Sequence, residues 1–151
     1  MAEVDPIPYR GAVPYLNVKG GKEAVAFYRK AFGAEEVVSL EREGGLLAHA
    51  ELRIGEAVFM VREEYPEYGF LSPQTIGGTP VNLLVYVPDV RALAARAMAA
   101  GATVIRPVER QFHGDLMTEL KDPFGHSWFF ATRVEPMTPE SIREAAAQAR
   151  L

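Results

Sequence analysis

Three landmarks recur along this chain at a nearly constant separation, and that recurrence limits the fold more than any other feature. Val18 and Val87 are 69 residues apart, Gly33 and Gly101 are 68 apart, and Gly55 and Gly125 are 70 apart. Each pair holds the same place in a local pattern. The valine closes an apolar run, the first glycine ends a helical run, and the second glycine sits in a hairpin. Self-similarity at one period means a supersecondary unit present in two copies.

In the first copy, residues 13–18 read as a strand and residues 19–21 as a break. Residues 22–32 read as a helix with Ala24, Phe27, Tyr28 and Ala31 on one face. Gly33 suits the left-handed position just past a helix end. Strands follow at 35–40, 46–54 and 56–62. In the second copy, a strand at 81–87 leads to Asp89 as an N-cap and a helix at 90–100, then strands at 102–106, 116–120 and 127–132. Both copies read β, α, β, β, β. The expected fold is α+β: two βαβββ modules, at residues 11–64 and 81–132, whose curved mixed sheets surround a cavity. Residues 65–80 hold three prolines and three glycines without a sustained period and read as a linker. Thr138 and Pro139 start a C-terminal helix over 138–150. Its thin stripe of Ile142, Ala145, Ala146 and Ala149 is expected to pack on the domain or on a partner chain.

A chain of 151 residues suits one domain assembled from these modules. A net charge of −4 with no clustered Lys and Arg argues against nucleic acid. With no cysteine, disulfides, thiolate nucleophiles and Cys-based metal sites are excluded. Residues 1–10 contain Asp5 and two prolines and no apolar core of a signal peptide. The apolar run at 81–87 is far too short to span a bilayer. A cytoplasmic protein without a membrane partner is expected. No Gly-rich dinucleotide or Walker loop and no Gly-x-Ser-x-Gly elbow is present.

Four segments carry a resemblance: VPYLNV at 13–18, AFYRKAFGA at 26–34, HAELRIG at 49–55 and DPFGHSW at 122–128. Together they resemble the PhnB-like branch of the glyoxalase/bleomycin-resistance/dioxygenase superfamily, also called vicinal oxygen chelate (VOC), over about residues 11–142. The resemblance implies paired modules around a small-molecule cavity, and a homodimer. It also implies a divalent metal held by two side chains from each module, one early in the first strand and one in the last. Placed five residues before the closing valine and four beyond the hairpin glycine, those positions are Val13 and Phe59 in module one, and Asn82 and Phe129 in module two. Val and Phe offer no lone pair, and one amide oxygen is a poor sole anchor. No metal cofactor is therefore expected, and Val13, Tyr15, Phe59, Asn82 and Phe129 are expected to line an apolar cavity for a small, partly aromatic molecule.

His49 and Glu119 each lie six residues before their hairpin glycine and are the candidate catalytic pair for proton transfer. Glu51 alternates with His49 and shares its face. The alternative reading is a metal-dependent glyoxalase-like lyase, isomerase or dioxygenase. It would hold a divalent ion with displaced ligands His49, His113 and Glu119. His126 is expected to make a turn hydrogen bond, and Glu63 and Glu64 to be solvated.

Overall fold

The computed structural model describes residues 11–150. Residues 1–10, read above as lacking a signal peptide, lie outside them. Module one comprises β1 (Tyr15–Val18), α1 (Gly21–Phe32), β2 (Glu35–Glu41), β3 (Leu47–Ile54) and β4 (Ala57–Glu63). Module two, after a short α2 (Pro73–Ile76), comprises β5 (Asn82–Tyr86), α3 (Val90–Ala100), β6 (Thr103–Arg110), β7 (Asp115–Lys121) and β8 (Ser127–Arg133). A helix α4 (Pro139–Gln148) follows. The sheets are ordered β1-β4-β3-β2 and β5-β8-β7-β6, and in each the first strand runs parallel to the last. The α+β fold of two βαβββ units and a C-terminal helix is the expected one.

Helices α1 and α3 touch, and the sheet faces turned toward them share one core. Its centre is aromatic. Tyr28, Phe32, Phe59, Trp128 and Phe130 are all buried. Trp128 lies 5.2 Å from Phe59 and 5.0 Å from Phe32 between ring centroids, which joins the modules. Polar ties reinforce the seam: the Asp122 carboxylate accepts from Tyr28 Oη at 2.6 Å, and His126 Nε2 lies 2.9 Å from the Asn17 carbonyl. His126 thus makes the expected turn hydrogen bond through its backbone N–H, to Asp122 Oδ1 at 3.0 Å, while its ring reaches across the modules.

Helix α1 ends as its sequence implies, with Gly33 at φ 68° and its N–H donating to the Tyr28 carbonyl. Its start is less readable. The N–H groups of Gly20 and Gly21 each donate to the Glu63 carboxylate at 2.9 Å, so a residue from β4 satisfies the unpaired donors of the first turn. Glu64 accepts from Ser72 N at 2.8 Å and from Thr75 Oγ1 at 2.7 Å. Neither glutamate is merely solvated, which corrects the expectation for both. The linker is also more ordered than its composition suggests. It holds a 3-10 turn at Pro66–Tyr68 and α2, both started by proline, and Glu64 fastens it to the end of β4.

Strand β1 begins at Tyr15, two residues later than expected. Strand β6 runs on to Arg110 through Pro107, which an edge strand tolerates, and its pairing with β7 is irregular between Val104 and Glu109.

Candidate functional site

On β3, β4, β5, β7 and β8, burial largely alternates between a face packed on the helices and an open face. On β3 and β4 the open face carries His49, Glu51, Arg53, Val58, Met60 and Arg62. On β5, β7 and β8 it carries Asn82, Leu84, Tyr86, Glu119, Phe129 and Arg133.

This alternation overturns the expected equivalences. Leu52 pairs with Phe59, and Leu120 pairs with Trp128. Phe59 therefore corresponds to Trp128 and faces the core at 3% exposure, whereas Phe129 lies on the open face. The cause is hairpin length. Arg53 pairs with Val58, whereas Lys121 pairs with Ser127, one residue further on. Counting from the glycine thus slips the register by one, and a one-residue slip changes face. His49 and Glu119 are not equivalent either. Across the sheets, Glu51 pairs with Met60 and Met60 with Tyr15; Glu119 pairs with Phe129 and Phe129 with Leu84. Glu119 is the counterpart of Glu51, and His49 that of Met117.

A cleft of about 840 Å³ opens between the modules, where the approach to β1 and the β3–β4 hairpin meet β5. Val13, Val58, Phe59, Leu83, Leu84 and Trp128 give it apolar walls, and Asn82 and Arg53 bring polar groups. Of the five expected cavity residues, Val13, Phe59 and Asn82 line this cleft. Tyr15 lines a smaller adjoining one of about 320 Å³, walled by Leu71 and Ile76 of the linker segment and by Val81. Phe129 lines neither.

The polar candidates fall into separate groups. In module one, His49 Nε2 lies 3.1 Å from Glu51 and His49 Nδ1 lies 2.5 Å from the Tyr15 hydroxyl. An ionised carboxylate only accepts, so Nε2–H donates to Glu51, and the Tyr15 hydroxyl, which can donate or accept, meets Nδ1. The Arg62 guanidinium stacks over the Tyr15 ring at 4.1 Å and donates to Asn17 at 2.7 Å. In module two, Glu119 accepts from Arg106 at 2.8 Å and from Ser127 at 3.3 Å. His113 lies 3.4 Å from Asp115. His49, His113 and Glu119 are thus held by three different sets of partners. Among the described residues no three His, Cys, Asp or Glu side chains converge as metal ligands. With the register corrected, Met60 replaces Phe59 as the counterpart of Phe129, and the quartet becomes Val13, Met60, Asn82 and Phe129. That set offers an amide oxygen and a thioether and does not fit a divalent ion.

Sequence reasoning missed one cluster. Asp115 is fully buried yet charged, accepting from Arg133 Nε at 2.8 Å and Tyr86 Oη at 2.7 Å. Burial alone would push its carboxyl up. The Arg133 and Tyr86 hydrogen bonds and the Arg133 charge outweigh burial and hold it below the ordinary range. A carboxylate with a depressed folded pKa contributes stability above the unfolded value, and that contribution disappears as pH falls through the folded one. The stability gap between wild type and Asp115→Asn is therefore expected to be widest near neutral pH. It should shrink steadily below about pH 4, as read by urea denaturation at stepped pH. A gap independent of pH would contradict this.

The fold is a pair of βαβββ modules with a cleft between them. Residues 12–130 match the model of the Glyoxalase/Bleomycin resistance protein/Dioxygenase superfamily, and the chain belongs to that family. It is 37% identical over 135 residues to the uncharacterized protein Rv0887c of Mycobacterium tuberculosis, covering 87% of this chain and 79% of that protein. Among solved structures it is similar to TioX from Micromonospora sp. ML1, with 25% identity, a TM-score of 0.65, and coverage of 82% and 99% of the two chains. It is also similar to the At5g48480 gene product of Arabidopsis thaliana, with 29% identity, a TM-score of 0.60, and coverage of 82% and 98%. Among the described residues, no helix is long and apolar enough to cross a membrane.

Proposed function

We propose that the protein binds a small, partly aromatic molecule in the cleft between its modules, without a metal ion. The carrying observation is the cleft itself. Its volume of about 840 Å³ lies within the range of small-molecule sites, and its walls combine apolar side chains with polar groups in comparable measure. Phe59 and Trp128 form an aromatic floor, and Asn82 supplies an amide. The paired AFYRKAFGA and DPFGHSW motifs support the PhnB-like branch, and the proposed setting is cytoplasmic. Family members are often dimers. A homodimer is proposed on that basis.

The test is calorimetric titration and thermal shift with a panel of flat aromatic compounds. Saturable binding is expected, with a stabilisation of about 2.7 kcal/mol at a hundredfold excess over Kd. Val58→Arg places a charge in the cleft from an open-face position and should abolish it. No binding by any compound, or binding unchanged in Val58→Arg, would defeat the proposal.

One observation favours a second reading. The Tyr15–His49–Glu51 chain is built as a proton-transfer relay and would suit an isomerase or lyase. That reading requires deuterium exchange into a carbonyl compound by wild type that is lost in His49→Gln.

A further inference from the structure

The Asp115 cluster differs from an ordinary buried ion pair in how it is exposed. The Asp115 side chain has no solvent exposure, whereas that of Arg133 is 46% exposed. Both carboxylate oxygens are occupied, Oδ1 by Arg133 Nε and Oδ2 by the Tyr86 hydroxyl, and His113 Nδ1 approaches Oδ2 at 3.4 Å. Asp115 thus has little left to offer a ligand. Its hydrogen bond fixes Arg133 through Nε alone. Among the described residues, the other hydrogen-bonding neighbour of the guanidinium is the Tyr86 hydroxyl, which leaves N–H groups of the two terminal nitrogens open to a ligand. Those nitrogens are the end of the fork that grips a carboxylate with two parallel hydrogen bonds.

A buried ion pair is weak support for a fold, because desolvation offsets its attraction. Holding an arginine for a ligand is a use that the geometry serves well. The surroundings agree. The nearby acidic side chain of Glu135 is already paired with Arg110. The Tyr86 ring lies under Arg133 at 5.8 Å, and the Asp115 hydrogen bond, together with burial, keeps its hydroxyl protonated as a donor. Leu84, on the same open face of β5, is about 7 Å from Tyr86 by strand geometry. It is paired with Phe129 and continues the apolar surface. Phe112 stands against His113 at 5.2 Å between centroids and is 37% exposed.

We propose that Arg133, oriented by Asp115 and flanked by Tyr86 and His113, is a binding site for the carboxylate of a small organic acid whose apolar part lies over Tyr86 toward Leu84 and Phe129. The site lies on the open face of module two. It shares only Leu84 with the inter-module cleft, so either assignment can fail while the other stands.

The probes are benzoate and its neutral counterpart benzyl alcohol, titrated into isotopically labelled full-length protein and followed by NMR. Benzoate is expected to bind at least about tenfold more tightly than benzyl alcohol. It should shift the Arg133 Nε–H and Tyr86 ring signals most. Arg133→Gln should erase the preference for benzoate. Tyr86→Phe keeps the ring and removes only the hydroxyl beside Asp115 and Arg133, so it should retain the preference in weakened form. That variant keeps the test valid if Arg133→Gln misfolds. Equal affinity for the two probes would overturn the proposal. So would benzoate shifts confined to the cleft around Val13 and Asn82, or a preference that survives intact in Arg133→Gln. Inorganic phosphate, titrated separately, distinguishes a general anion site from a carboxylate site. Shifts at Arg133 with benzoate exceeding those with phosphate are expected, and the reverse order would overturn the assignment to organic acids.

Discussion

Asp122→Ala is expected to destabilise the fold by roughly 4 kcal/mol or more, since several buried donors lose their acceptor together. Asp122 is 4% exposed and accepts four hydrogen bonds. Oδ1 takes the backbone N–H groups of Phe124 and His126 at 2.9 and 3.0 Å, and Oδ2 takes Tyr28 Oη at 2.6 Å and Trp128 Nε1 at 2.9 Å. One carboxylate therefore shapes the β7–β8 turn, orients the central tryptophan and ties that turn to α1 of the other module. Asp122→Asn keeps the volume but turns a donor toward groups that donate, and should be costly though less so than Ala. Tyr28→Phe removes a single donor and should cost about 1 kcal/mol. Urea denaturation followed by the fluorescence of Trp128, the sole tryptophan, reads all three. The expected order is Ala, then Asn, then Tyr28→Phe, with the Ala variant melting about 8–16 °C lower. An Asp122→Ala protein within about 1 kcal/mol of wild type would contradict this role.

The second large effect separates two phenylalanines that a glycine count makes alike. Phe59→Ala should cost about 3–5 kcal/mol, the usual range for an aromatic removed from a packed core. Its ring meets Tyr28 at 5.5 Å and Trp128 at 5.2 Å. Phe129→Ala, on the half-buried open face, should cost clearly less. Phe59 also forms part of the cleft floor, so its removal deepens the cleft. Added toluene or indole should raise the melting temperature of Phe59→Ala more than that of wild type. Equal costs for the two substitutions would mean that the faces are assigned wrongly.

The modules were legible because their landmarks have local physical causes. Gly33 and Gly101 both end helices at positive φ, and Asp89 caps α3 by accepting from Ala92. Facing was legible only where the landmark keeps its distance from the strand. It failed at the hairpins, where one extra residue in DPFGH moves Phe129 to the face opposite Phe59. The anchoring of Glu63 and Glu64, and the joining of Tyr86, Asp115 and Arg133, depend on which strand ends meet. Those contacts span from 8 to 43 residues, and no local period records them. Of the candidate site, Val13, Phe59 and Asn82 were found together through strand position. His49 was found without its partner Tyr15, because their hydrogen bond crosses from β1 to β3 over β4.

The central claim is a small-molecule cleft that works without a metal ion. Its most direct test is elemental analysis of the purified protein by plasma mass spectrometry, before and after equilibration with zinc, manganese, nickel and iron(II) and removal of free metal. The expected result is far less than one ion per chain under every condition, with ligand binding in the cleft unchanged by chelators. Retention of close to one ion per chain, lost on His49→Ala or Glu119→Ala, would contradict the account and make the metal-dependent enzyme the better reading.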